Sequence, residues 1–129
     1  MKTFTTHLSA DETVKRLLAG VDAANMRLVA HINGQENARK MGKEVSADQI
    51  LEVFRPDFAI RVWQAYKPAG YDIPLRIHVY ENSGATCVAC RMPSEVFSPY
   101  AKPALTAIGW ELDDVFEQIL AGVPEALND

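Results

Sequence analysis

The polar residues able to do chemistry gather in one stretch, Tyr71 to Pro93. It holds Arg76, His78, Tyr80, Cys87, Cys90 and Arg91. Its two alternating runs, joined by Asn82-Ser83-Gly84, predict a β-hairpin with a proline closing each outer end. Alternation assigns the faces. In the first run Leu75, Ile77 and Val79 point one way, and Arg76, His78 and Tyr80 the other. With Ser83-Gly84 as a two-residue turn, Tyr80 falls opposite Cys87, His78 opposite Ala89 and Arg76 opposite Arg91. The polar face then carries Arg76, His78, Tyr80, Cys87 and Arg91, while Val88 and Cys90 join the apolar one. A one-residue slip in the turn would exchange the faces of the second strand.

Two guanidinium groups, an imidazole and a phenol on one face suit a small anion or a planar carboxylated ligand. The same pattern also describes the ordinary solvated side of an antiparallel sheet. Ala89 opposite His78 leaves space above the sheet, and that is the one added sign of a pocket.

Cys87-Val-Ala-Cys90 has the spacing of a redox dithiol. Such pairs work at a helix start, where the dipole lowers a thiol pKa. Within a strand, an offset of three spans about 10 Å and sends the two side chains to opposite faces. A disulfide needs α-carbons within roughly 7 Å. Core filler at Cys90 and a surface thiol at Cys87 is the simpler reading, with redox use of the two thiols kept as an alternative. His7, His31 and His78 lie on three separate elements, without ligand spacing, so no metal site is predicted. A haem held across an interface by one histidine with Met92, or by His31, stays open, because axial ligands need no local motif. No glycine-rich phosphate loop, nucleophile elbow or paired carboxylates stand out, so no catalytic residue is predicted.

Three large aromatics, Trp63, Tyr66 and Tyr71, crowd the segment just before the hairpin. Core packing would explain Trp63. Tyr66 and Tyr71, beside a loop, fit a dimer contact, since aromatic side chains are favoured in interface cores.

The elements that must position these residues follow from periodicity. Lys2 to Leu8 predicts a first strand. Ser9-Ala-Asp-Glu12 has the form of a capping box, and Val14, Leu17, Leu18 and Val21 continue it as a helix to about Ala24. Met26 to Ile32 fits a second strand, and Asn33 caps a short helix through Met41, stopped by Gly42. Gln49 to Arg55 fits a third strand. Pro56 then opens a helix with Phe58, Val62, Trp63 and Tyr66 on one face, ended by Lys67-Pro-Ala-Gly70. After the hairpin, Ile108, Leu112, Val115, Phe116, Ile119 and Leu120 form an apolar stripe, closed by Gly122 and Pro124.

These elements predict an α+β fold: a two-layer sandwich with a mainly antiparallel sheet of about five strands and helices packed on one face. The other face must then meet water, a ligand or another subunit. At 129 residues, 48% hydrophobic and 23% charged, the chain reads as one domain over 1–129. A net charge of −4 argues against a general nucleic-acid or anionic-membrane binder. No export signal or spanning stretch of roughly 20 apolar residues is seen. With two cysteines, this predicts a cytoplasmic protein.

Phe54-Arg-Pro-Asp57, followed by Asp72-Ile-Pro-Leu-Arg-Ile-His-Val-Tyr-Glu81, resembles the domain of unknown function 302 family (DUF302). The likeness runs from about Ser9 to Phe97, and takes in Asn37-Ala-Arg-Lys-Met-Gly42 and Arg91-Met-Pro-Ser94. It implies a small α+β fold with a curved antiparallel sheet, commonly assembled as a homodimer. It implies no catalytic residues to carry over. Some members look associated with sulfur or redox metabolism, and haem binding at a dimer is implied for part of the family. Where that family often has a Phe-Gly-Asn-Pro-like turn this chain has Phe54-Arg-Pro-Asp57, so nothing in that loop is carried over. The residues and the resemblance together point to a small homodimeric binding protein, with a ligand on the open sheet face or at the interface. A structural or partner-binding dimer, with Trp63, Tyr66 and Tyr71 at the contact, is the third alternative.

Overall fold

The computed structural model describes residues 1–127. Five strands, β1 (Lys2–Thr6), β2 (Arg27–Asn33), β3 (Asp48–Phe54), β4 (Leu75–Asn82) and β5 (Ala85–Cys90), form one sheet in the order β1-β5-β4-β3-β2. Every neighbouring pair is antiparallel. Five helices accompany them: α1 (Ala10–Ala23), α2 (Gly34–Lys40), α3 (Pro56–Ala65), α4 (Pro93–Phe97) and α5 (Pro103–Ala121). The fold class is the α+β sandwich expected, with helices laid on one side of an antiparallel sheet.

Local chemistry sets the ends of the elements. The Ser9 hydroxyl accepts the Glu12 N–H at 3.1 Å and starts α1. Asn33 closes β2 and caps α2 in the same residue, its side chain accepting from the Glu36 N–H at 3.0 Å. The hairpin turns on Ser83 (φ 53°) and Gly84 (φ 81°), both left-handed, as a two-residue turn matched to strand twist requires. Its register is therefore the one read from the alternation: Tyr80 pairs Cys87 and His78 pairs Ala89.

The core lies between the sheet and α1 and α5. Leu51, Val53, Ile77 and Val79 from the central strands, with Leu17, Leu112, Phe116 and Ile119 from the helices, are wholly sealed from solvent. Burying these apolar groups is the main force holding the layers together.

Two local expectations are corrected. Trp63 does not share the buried face of Phe58 and Val62. It lies about 140° around the helix from Phe58 at 100° per residue, and is 42% exposed. Tyr66 falls just past the end of α3, where the chain tightens into a 3-10 segment, Lys67–Asp72. The helix α4 had no counterpart in the periodicity, because five residues are too few to show a stripe. Pro93 opens it, and the Glu95 carboxylate accepts the Met92 N–H at 3.1 Å. It sits so close to α5 that a Cβ on Gly109 would come within 2.9 Å of the Ser94 Cα.

The sheet edges differ. On β1, the Thr5 carbonyl accepts the Ala126 N–H at 2.7 Å, so the tail after α5 partly covers that edge. On β2, the outer edge stays open, and Leu28, Val29 and Ile32 are exposed. Among the described residues no helix is long and apolar enough to cross a membrane.

Candidate functional site

The sheet face turned away from α1 and α5 is built row by row from cross-strand pairs. Asp48, Tyr80, Cys87 and Thr5 share one row; Ile50, His78, Ala89 and Thr3 share the next; Glu52 faces Arg76 in the third. All five residues of the expected ligand patch lie on or beside this face. They do not act as one cluster. His78 Nε2 meets Asp48 Oδ1 at 3.0 Å, and its ring stacks on Tyr80 with centroids 4.5 Å apart and planes 25° from parallel. These contacts fix the imidazole between β3 and β4, towards Asp48. Cys87 is half-buried in β5, and its thiol donates a weak hydrogen bond to the Ala85 carbonyl at 3.8 Å.

Arg76 and Arg91 behave differently. Both are exposed, and neither forms an ion pair with a carboxylate among the described residues. They line the same depression, of about 490 Å³, where β4 and β5 meet the loop Tyr71–Pro74. Its other polar lining groups are the Met1 terminus, His78, Glu52 and Asp72, with Tyr71 at its side. Its apolar wall is Ile73, Pro74, Leu75, Ala89 and Val96. A volume of this size is in the range that holds small molecules. A second hollow, of about 470 Å³, shares Asp72, Arg91 and Val96 and runs on to Pro99 and Tyr100.

The Tyr71–Pro74 loop is held from behind. The Tyr100 hydroxyl donates to Asp72 Oδ2, and that bond pushes the Tyr100 phenol up to about 12. Tyr100 also packs on Tyr66, centroids 5.8 Å apart, with the Lys102 ammonium 4.8 Å from the Tyr66 ring centre. Tyr66 is thus half-buried in support of the loop. Tyr71 stands 91% exposed beside the depression. Trp63 faces a separate apolar groove of about 340 Å³, with Val29, Phe54, Ala59, Ile73 and Pro74. Asp72, Tyr100 and Val96 join the site without any motif to mark them as part of it in the sequence. The Tyr71–Asp72 pair next to a proline turn is the nearest signal; Tyr100 comes from a segment without periodicity.

The two thiols part company. Cys90 is buried on the helix side, and burial, with Glu95 and Glu117 nearby, pushes its thiol up to about 12. Cys87 lies on the opposite face, as an offset of three along a strand demands. Both are free. His31, exposed on the edge strand, contacts Gln49 Oε1 at 2.7 Å, and Gln49 donates to Asp11 Oδ1 at 3.1 Å. Met92 is buried in the core. Among the described residues no three His, Cys, Asp or Glu side chains come together as a group able to hold a metal ion.

The fold and this face define a two-layer α+β domain whose sheet keeps one side open over a hollow lined by two arginines. The family model of the domain of unknown function DUF302 matches residues 2–124, and the chain belongs to that family. Its fold is similar to that in the crystal structure of an uncharacterized conserved DUF302 protein from Bacillus stearothermophilus, at 22% identity and a TM-score of 0.85, covering 95% of this chain and 97% of that one. At that identity the likeness speaks to fold alone. No curated protein matches the chain.

Proposed function

We propose that this DUF302 protein is a small-molecule binding protein that holds an anionic ligand in the depression at Arg76 and Arg91. One observation carries the reading: two guanidinium groups without carboxylate partners line one hollow on an otherwise solvated sheet face. Arginine stays charged at any physiological pH, and its planar fork matches a carboxylate or phosphate edge. His78 lines the same hollow, and Tyr80 and Cys87 lie one row further along the sheet.

We further propose that it works as a homodimer in the cytoplasm. The exposed apolar residues of the β2 edge and of the Trp63 groove favour an association that leaves the Arg76 side accessible. Free thiols at Cys87 and Cys90 suit a reducing compartment. A redox role for these two thiols gains no support from their placement on opposite faces.

Native mass spectrometry of freshly purified wild type and of the double variant R76Q/R91Q tests this reading. The expected spectrum of the wild type is a dimer carrying an extra small mass that the double variant lacks. An extra mass retained in full by R76Q/R91Q would sink the site, and a monomer at micromolar concentration would sink the dimer.

A further inference from the structure

We infer that the hollow selects singly charged ligands with a flat apolar body, aromatic monocarboxylates being the class, and that Tyr71 is the specificity-determining side chain. This rests on the anion site proposed above. Charge balance carries the first half. Glu52 and Asp72 line the same hollow as Arg76 and Arg91, and Glu52 is the direct cross-strand neighbour of Arg76. The Met1 ammonium on the hollow's lining is already paired with Glu95. A single carboxylate can take the two guanidinium groups, whereas a phosphate dianion would bring its second charge against two acidic side chains.

Shape carries the second half. Ile73, Pro74, Leu75, Ala89 and Val96 give the hollow an apolar wall that an inorganic anion leaves unused. Tyr71 is 91% exposed, so its ring gains little from the folded protein itself. The residue after it, Asp72, is tied to the Tyr100 hydroxyl, which anchors the loop and keeps the ring at the hollow's side. A ring so placed stacks on a planar ligand whose carboxylate reaches the arginines, an aromatic contact that adds to area burial.

Calorimetric titration of the full chain with acetate, inorganic phosphate and 2-naphthoate, in wild type, Y71A, Y71F and R76Q/R91Q, decides it. The expected order is 2-naphthoate about tenfold tighter than acetate, with phosphate no tighter than acetate. Y71A should remove most of the naphthoate advantage and leave acetate unchanged, and Y71F should keep it. Because Tyr71 is almost wholly exposed, neither change threatens the fold. Equal binding of acetate and naphthoate, tightest binding of phosphate, or a full naphthoate preference in Y71A would overturn the inference and leave the anion site standing. Naphthoate binding that survives in R76Q/R91Q, or no binding of any probe to the wild type, would overturn both.

Discussion

Ile77 and His78 are chain neighbours on β4, yet they live in different surroundings. Ile77 is sealed between the sheet and the helices; His78, one residue on, is half-exposed beside Asp48 and Tyr80. The same contrast runs along β3, where Leu51 and Val53 alternate with Ile50 and Glu52. On the covered side, residue type is dictated by packing, because the interior is close-packed and unpaired polar groups are costly there. On the open side packing dictates little, and charged groups there are free to meet water. Arg76, Arg91 and Tyr71 gather around one hollow on that side.

The contrast predicts unequal responses to mutation. Ile77→Ala should cost about 2–5 kcal/mol in chemical denaturation, the usual range for emptying a sealed aliphatic site. His78→Ala, on the adjacent residue, should cost about 1 kcal/mol or less, since it removes only a partly exposed contact to Asp48 and a stack on Tyr80. Equal costs at the two positions would break the distinction between the faces. Next in size, Gly109→Ala should destabilise by about 1–3 kcal/mol, because the new methyl meets the Ser94 backbone rather than a yielding side chain. A stabilised variant, reflecting only alanine's better helix propensity, would mean that α4 and α5 pack less closely than the structure has them.

The thiols sharpen the comparison without touching the packing. In the native protein one thiol, Cys87, should react with a disulfide reagent near neutral pH, and the second only after denaturation. Cys90's raised pKa also has a stability consequence. A group raised from an ordinary value near 9 to about 12 contributes its full stabilisation below pH 9 and loses it as pH climbs towards 12. Cys90→Ala should therefore show a flatter alkaline limb in a stability–pH profile than the wild type. A smaller effect of the same sign belongs to Tyr100. Its phenol, raised from an ordinary 10 to about 12 by Asp72, should give an ultraviolet-absorbance titration step that Asp72→Asn moves to lower pH.

Much of this contrast is legible in the sequence, and the reasons are local. The alternation of Leu75 to Tyr80 and the Ser83-Gly84 turn fix faces and register together, because a shift of one residue would turn Cys87 and Ala89 to the core side and Val88 and Cys90 away from it. The long stripe from Ile108 to Leu120 locates α5 for the same kind of reason. What escaped is what depends on distant residues meeting. Tyr100 reaches Asp72 across 28 positions of chain. The five-residue α4 lies against Gly109 without any periodicity of its own. Tyr71 reads as an interface aromatic in the sequence, and the fold adds that it lines one hollow with Arg76 and Arg91.

The most direct test of the ligand face is an amide NMR titration of the wild-type chain with 2-naphthoate. The account predicts saturable shifts at Arg76, His78, Ala89, Arg91 and the Tyr71–Ile73 loop, with the amides around Leu17 and Ile119 unmoved. Shifts centred on Val29 and Trp63, or none that saturate, would contradict it.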